Sequence, residues 1–200
     1  MKNNKAVLLV NLGSPDSTSV KDVRRYLDEF LMDKYVIDVP YLLRLLIVKC
    51  FVLPFRPKKS AEAYASIWWE EGSPLIVLSQ RLHKLVQKKC SLPVGLAMRY
   101  ANPSIKASLD VLLSEYPDLE ELLLVPLYPH YAMATTTTVV EKTKDVIKQH
   151  YPFLKLSYIE SFYNDDRYIN ALANSIKPYL TSDKFEHLLF SFHGVPERHV

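Results

Sequence analysis

The sequence ends in HLLFSFHGVPERHV, a stretch that places a titratable histidine where an apolar run gives way to a turn. The run at 187–194 is near-continuously apolar, and His193 stands at its end, just before Gly194. A neutral imidazole, with an ordinary pKa of about 6.5, can accept a proton near neutral pH or ligate a metal ion. Because polar residues at strand ends in α/β folds are enriched in sites, we interpret His193 as a candidate functional residue. The alternative is a hydrogen-bonded histidine of the core.

Three metal-ligating residue types follow closely on one another in the same stretch, at His193, Glu197 and His199. A zinc-binding HExxH motif needs both of its histidines one turn apart on a single helix. Gly194 and Pro196 come directly after His193, so that geometry fails and the sequence predicts no zinc helix here.

Other apolar runs also end in a rim of aromatic and apolar residues with few charges. The rim comprises Asn11–Pro15, Met98–Tyr100, Tyr128–Tyr131 and Ser191–Gly194. With four glycines in all, the sequence has neither the GxGxxG of a dinucleotide site nor a Walker A lysine. Since ligands of open α/β sheets bind at the carboxyl ends of strands, this rim suits a large, flat, apolar ligand better than a phosphate.

Two polar segments each allow two interpretations. The segment RPKKSAEAYASIWWEEGSPL, with Arg56, Tyr64 and Ser73, is either a solvated basic face or a carboxylate-binding edge, because arginine offers a planar fork to carboxylates. The segment ATTTTVVE contains Thr138 and Glu141 at the spacing of a capping box. We predict that Thr138 caps the following helix, with an anion site at the helix N-terminus as the alternative.

Strand-like and helical patterns alternate along the chain. Near-continuous apolar runs predict five buried strands, at 6–13, 93–100, 121–129, 154–162 and 187–194. Helical patterns lie between them at 19–31, 74–90, 102–117, 137–152 and 165–180. The fold class is therefore predicted as α/β, an open parallel sheet flanked by helices. Four strands complete a first domain at 1–163, and the fifth opens a second domain at 164–200, which one strand leaves incomplete.

Composition excludes several classes of protein. The net charge of +3 is too small and too evenly spread to indicate nucleic-acid binding. Cys50 and Cys90 lack CxxC spacing, so no disulfide framework or zinc finger is predicted, and a reducing compartment such as the cytoplasm fits. The segment at 34–55 looks membrane-like, but its charges break it into pieces too short to span a bilayer. We interpret it as a core helix, the alternative being an apolar lip around a pocket or at a membrane surface.

Five motifs, in order and at family-like spacing, give the chain a resemblance to the ferrochelatases, which insert Fe²⁺ into a porphyrin to make haem. They are LLVNLGSPD, EEGSPL, MRYANP, VPLYPHYAMATTT and FSFHGVPERH. The resemblance runs over essentially the whole chain. It implies two similar chelatase-like α/β domains with a porphyrin cleft between them, lyase activity, Fe²⁺ as a substrate and no tightly bound cofactor.

The resemblance also implies roles for individual residues. His193 matches the active-site histidine, as proton acceptor, iron ligand or both. The apolar pocket positions are Leu12, Phe30 and Val36, the groups near the porphyrin propionates are Arg56, Tyr64 and Ser73, and the cleft-lining positions are Arg99, Tyr128 and Tyr131. The segment at 34–55 becomes a cleft lip that family members can rest on a membrane, so a cytoplasmic enzyme peripheral to the inner membrane is expected. WWEEGSP replaces a glycine-rich run of some relatives. By the same resemblance we expect most of the second domain, with its catalytic carboxylate, to lie outside these 200 residues.

Leu12 bears on the substrate, because a leucine in this loop resembles the branch of the family that uses protoporphyrin IX and makes haem b. A tyrosine there resembles the branch that uses coproporphyrin III, which is the alternative. Two further alternatives are a half-domain that binds a tetrapyrrole without chemistry and a cobalt or nickel chelatase. We expect the 200-residue chain to be inactive or impaired.

Overall fold

Four of the apolar runs form one parallel sheet in the computed structural model, which describes residues 4–180, 185 and 187–200. The strands are β1 (Lys5–Asn11), β2 (Val94–Met98), β3 (Glu121–Pro126) and β4 (Lys155–Tyr158), in the order β2-β1-β3-β4. The predicted class, an open parallel α/β sheet flanked by helices, is confirmed.

The helices follow the predicted pattern, including helical structure within 34–55, and the helix at Arg56–Ile67 was not predicted. They are α1 (Val20–Leu31), α2 (Tyr41–Leu46), α3 (Arg56–Ile67), α4 (Pro74–Lys89), α5 (Ile105–Glu115), α6 (Thr138–His150) and α7 (Asp166–Leu180). π-Helical segments at Ile47–Val52 and Met133–Thr137 continue α2 and lead into α6, and Glu197–His199 is a short 3₁₀ turn.

The strands are apolar on both faces because helices cover both faces. Leu8 pairs in register with Gly95 of β2 on one side and Leu124 of β3 on the other. On one face, Leu8 and Leu124 belong to the main core, which α5 and α6 close. Val7 and Leu9 point to the opposite face, where they meet apolar side chains of α4. The layers place the carboxyl ends of all four strands at one edge.

At the N-terminus of α1 the local sequence pattern correctly predicts the cap, whereas at the N-terminus of α6 tertiary contacts override the pattern. Ser19 caps α1, its hydroxyl accepting from the backbone N–H of Asp22 at 3.1 Å, as a capping residue should. The predicted cap at Thr138 is wrong. Thr138 is fully buried and its hydroxyl donates to the carboxylate of Asp33, because the π-helical segment already supplies the turn before α6.

The predicted fifth strand is also wrong for this chain. Residues 187–194 have no regular secondary structure and are exposed. A strand needs a neighbour to satisfy its backbone groups, and among the described residues β4 pairs only with β3. The assignment of 164–200 to the start of a second domain stays a prediction.

The segment at 34–55 is not a core helix. Its large apolar side chains at Tyr41, Leu42, Leu43, Leu46, Phe51 and Phe55 are all exposed. Arg44 points inward instead and donates at 3.1 Å to the carbonyl oxygens of Ile37 and Val39. This arrangement favours the alternative of an apolar lip, a name we keep for these six side chains. Across 4–180, 185 and 187–200, no helix is long and apolar enough to cross a membrane.

Gly13 fixes how closely the ends of β1 and β2 approach. Its φ of +104° lies in the region that disfavours side chains, and a Cβ there would lie 1.9 Å from the carbonyl oxygen of Tyr100. The backbone N–H of Tyr100 donates to the carbonyl of Leu12 at 2.9 Å, holding the two chains together. Only glycine fits without moving backbone.

We expect Gly13→Ala to lower the free energy of unfolding by about 3 kcal/mol or more, because it combines backbone strain with a main-chain clash. Gly72→Ala is the matched control: Gly72 has φ +121° but open space around its Cβ position. It should lose only the strain, about 1–2 kcal/mol. Urea unfolding measures the free energy of unfolding of both variants. Equal losses would show that the clash with the carbonyl of Tyr100 does not destabilise Gly13→Ala.

Candidate functional site

A buried carboxylate lies at the carboxyl edge of the sheet, two residues beyond the end of α1. One oxygen of Asp33 accepts from the guanidinium of Arg99 and the hydroxyl of Thr138. The same oxygen accepts from the hydroxyl of Tyr100 at 2.9 Å, and the other accepts from the backbone N–H of Tyr35 at 2.8 Å. Arg99 and Tyr100 follow β2 and Thr138 begins α6, so one side chain joins three elements.

The electrostatics of this cluster keep Asp33 charged and Tyr100 neutral. Burial raises the pKa of Asp33, but the hydrogen bonds from Thr138 and from the Tyr35 N–H, together with the charge of Arg99, outweigh burial and leave that pKa below 3.8. Burial raises the pKa of Tyr100, so its phenol stays protonated and can donate. The Asp33 carboxylate therefore balances the charge of the mostly buried Arg99.

An aromatic wall, formed by Tyr26, Phe30, Tyr64 and Tyr100, adjoins the carboxylate. Tyr100 has no exposed surface, and its ring meets the ring of Phe30 edge to face at 5.2 Å and that of Tyr26 at 6.4 Å. The guanidinium carbon of Arg99 lies 4.3 Å from the Tyr100 ring centre. Tyr26 in turn meets Tyr64 at 6.2 Å, and its hydroxyl donates to the carbonyl of Gly13. The wall thus spans from the sheet edge to α3.

The helices α1 and α3 form an open groove of about 260 Å³ against this wall. The groove is lined by Leu27, Phe30, Leu31, Arg56, Ser60, Ala63, Tyr64 and Ile67. Three residues predicted from the sequence, Phe30, Arg56 and Tyr64, therefore meet on one surface. Arg56 is exposed, and no carboxylate within the described ranges pairs with it. The groove offers an apolar face beside an uncompensated cation.

Three other predicted residues do not line the groove. Leu12 is half-buried at the end of β1, where its N–H bonds to the side chain of Asn11 at 2.8 Å. Val36 is half-buried in the turn after α1, with its N–H donating to the carbonyl of Asp33. Ser73 is buried at the start of α4. Leu12 and Val36 flank the Asp33 cluster.

Tyr131 and Tyr128 lie on the loop after β3, on the other side of the cluster. Tyr131 is exposed, its hydroxyl lies 2.8 Å from that of Thr137, and it lines a separate cavity of about 320 Å³ together with Glu141 and Glu160. Tyr128 packs against the main core, burial raises its pKa, and its buried hydroxyl has no protein partner within the part of the chain described. None of the three predicted cleft-lining residues lines the groove: Tyr131 faces a different cavity, and Tyr128 and Arg99 are mostly buried.

His193 lies apart from these surfaces. It is exposed, and its Nδ1 lies 2.7 Å from the carbonyl oxygen of the adjacent Gly194. The tail is attached further on, where Arg198 pairs with Asp38 at 2.8 Å. No group of three His, Cys, Asp or Glu side chains suited to a metal ion occurs among the residues that the structure describes.

Sequence reasoning missed Asp33 and Tyr26. Asp33 stands among other charged residues in YLDEFLMDKY, where nothing marks it as buried. Its side-chain partners lie 66 to 105 residues away, so local pattern cannot identify it. Tyr26 follows two arginines on an amphipathic helix, and only its spacing of three from Val23 indicates the buried face.

We expect Asp33→Asn to lower the free energy of unfolding at neutral pH by about 3–5 kcal/mol, because Arg99 loses its buried counter-charge. The folded-state pKa of Asp33 is depressed, so its contribution is present above the unfolded value of 3.8 and is lost as pH falls through the folded-state value. The difference in the free energy of unfolding between parent and variant should therefore become smaller below about pH 4. Urea unfolding across pH measures this. The exposed Asp110, which also accepts from a tyrosine hydroxyl, gives the control Asp110→Asn, and an equal loss there would contradict the prediction.

The comparisons with known proteins agree with the motifs. A family model for ferrochelatase matches residues 4–200. The chain is 53% identical to a ferrochelatase of Ectopseudomonas mendocina (strain ymp) over 196 residues, covering 98% of this chain and 56% of the relative. It is 55% identical to a ferrochelatase of Azotobacter vinelandii (strain DJ / ATCC BAA-1303), covering 98% of this chain and 57% of the relative. The chain thus spans a little over half the length of these relatives, and it belongs to the ferrochelatase family.

Proposed function

We propose that this chain forms the N-terminal part of a ferrochelatase that inserts Fe²⁺ into protoporphyrin IX to make haem b. The reaction class is that of a lyase, in haem biosynthesis in the cytoplasm. Residues 164–200 would begin the second α/β domain, which the rest of a chain as long as the relatives would complete. Fe²⁺ and the porphyrin are substrates, and no tightly bound cofactor is needed.

The groove between α1 and α3 is the observation that supports this proposal best. Phe30 and Tyr64 supply aromatic surface, and Arg56 supplies an exposed, uncompensated cation at the same place. A tetrapyrrole is a large apolar plate with carboxylates at its rim, so it can bury its face against the wall while Arg56 binds a propionate. Burial of apolar area contributes about 25 cal/mol per Å², so the ring supplies most of the affinity and Arg56 the orientation.

Iron insertion requires that two pyrrole protons leave and that Fe²⁺ reach four nitrogens. A neutral imidazole can accept a proton at cellular pH, and as a single ligand it can bind Fe²⁺ without trapping it. We assign that work to His193, as base, as ligand or as both. In a longer chain, residues 187–194 would find strand partners and His193 would stand at a strand end facing the macrocycle.

Two features bear on substrate and location. Leu12 at the end of β1 matches the branch of the family that uses protoporphyrin, and coproporphyrin III is the competing substrate. The apolar lip exposes six large side chains, and one of them, Phe55, directly precedes Arg56 of the groove. Such a patch fits peripheral contact with a membrane, from which an apolar substrate could enter.

A second candidate function is binding of a tetrapyrrole without chemistry. It is favoured by one observation: in this chain His193 is exposed and bonded to its own neighbour, outside the groove. On this view the 200 residues hold a porphyrin weakly and turn over little metal.

We expect Arg56→Ala to weaken protoporphyrin binding about tenfold, because one charge-assisted hydrogen bond to a propionate is lost. Quenching of tryptophan fluorescence measures the affinity. The dimethyl ester of protoporphyrin, which lacks the carboxylates, should bind parent and variant alike, and Arg24→Ala on the exposed side of α1 is the matched protein control. Unchanged protoporphyrin affinity in Arg56→Ala would remove this residue from the site.

Metal insertion is best tested in a chimera that joins residues 1–200 to the C-terminal part of the Azotobacter vinelandii relative. We expect His193→Ala to reduce turnover about 100-fold or more, the contribution of a positioned acid–base group. The Soret band follows insertion of Fe²⁺ or Zn²⁺ into protoporphyrin. His150→Ala, at the exposed end of α6, is the control. Near-normal turnover in His193→Ala would exclude this histidine from the mechanism.

A further inference from the structure

We propose that Asp33 is a positioning residue which, through the hydroxyl of Tyr100, holds the aromatic wall in the orientation that receives the macrocycle. This inference rests on the proposed function of the groove, and it adds a residue that touches no substrate. Asp33 acts through Tyr100 and through the end of α1.

Tyr100 is the link between the carboxylate and the groove. Its side chain is wholly buried, and its hydroxyl donates to Asp33 at 2.9 Å. Its ring edge packs against Phe30, which lines the groove, and against Tyr26, which supports Tyr64. Since Phe30 and Asp33 are three residues apart, the same carboxylate fixes both the end of α1 and the ring that Phe30 packs on.

An ionised carboxylate is the group that this position requires. Asp33 accepts four hydrogen bonds and donates none, three of them from side chains on other elements. An asparagine would keep one acceptor oxygen and present an NH₂ group to a cation and two hydroxyls. The phenol of Tyr100 would then lose its acceptor or compete with Thr138 for the remaining oxygen, and its ring would be free to rotate against Phe30.

The charge balance in this cluster also assigns different tasks to the two arginines. Arg99 is held by Asp33 and by the hydroxyl and carbonyl of Thr138, so its guanidinium covers the face of Tyr100. Arg56 has no such partner among the described residues and keeps its charge available. Asp33 thus neutralises the cation that lies on the Tyr100 ring and leaves the carboxylate-binding role to Arg56.

The chain contains a matched control pair of the same chemistry. Tyr151 follows α6 and donates its hydroxyl to Asp110 of α5, and it is as buried as a core residue. This pair lies at the opposite end of α6 from Thr138. Tyr100→Phe and Tyr151→Phe each delete one tyrosine–aspartate hydrogen bond and keep the ring.

The test measures protoporphyrin affinity by fluorescence quenching, and KM and kcat in the chimera. We expect Tyr100→Phe to raise the Kd and the KM about 3- to 10-fold with kcat near that of the parent, and Tyr151→Phe to change neither. Asp33→Asn should raise the Kd at least as much. The double variant Asp33→Asn/Tyr100→Phe should be no worse than Asp33→Asn alone, since both changes break the same link.

Several outcomes would overturn the inference. It fails if Tyr100→Phe, folded by circular dichroism, binds protoporphyrin as the parent does, or if the two substitutions add as independent effects. Tyr100→Phe decides the matter even where Asp33→Asn does not fold. If parent chain and parent chimera bind no porphyrin at all, the proposed function itself fails, whereas normal parent binding with unaffected variants removes only the role of Asp33.

Discussion

The buried carboxylate of Asp33 is the interaction on which this edge of the molecule depends. Burying a charge is costly unless it is paired and fully hydrogen-bonded, and Asp33 meets both conditions with donors from the loop after β2 and the start of α6. Because these donors lie on separate elements, the carboxylate is satisfied only when the sheet edge, α1 and α6 are all in place. The buried charge of Asp33 is therefore fully compensated only in the folded protein, where all of its donors are present.

The backbone beside this cluster is constrained in a complementary way. Gly13 allows the backbone after β1 to pass close to the carbonyl oxygen of Tyr100. The hydroxyl of Tyr26 donates to the carbonyl of Gly13. The rings of Tyr26 and Tyr100 are thus held by hydrogen bonds of their hydroxyl groups and by the close backbone contact at Gly13. In this wall the hydroxyl groups of Tyr26 and Tyr100 are both hydrogen-bonded to protein oxygens, at Gly13 and Asp33.

Much of the fold could be predicted from the sequence, because strands covered on both faces are continuously apolar and because serine residues cap α1 and α5. What could not be predicted depends on distant partners. The run at 187–194 has strand composition, but it pairs with no strand among the residues that the structure describes. Thr138 has a capping pattern, but its hydroxyl donates to Asp33. Family resemblance assigned Phe30 to the apolar pocket, and Arg56 and Tyr64 to the porphyrin propionates. Periodicity alone could not have placed α1 against α3.

The apolar lip and the groove are best understood as one surface. Exposed side chains such as Leu42 and Phe55 contribute no burial to this chain, and Arg44 is turned inward so that they can face out. Ile67 both lines the groove and is exposed, and Phe55 adjoins Arg56, so apolar side chains reach the rim of the groove beside its cation. The lip segment is also joined to α1 by the ion pair of Lys49 with Asp28 at 2.6 Å. A flat apolar ligand moving along this surface would lose apolar contact with water before its carboxylates reach a cation. Under the proposed function, affinity therefore arises along the path and orientation only at its end.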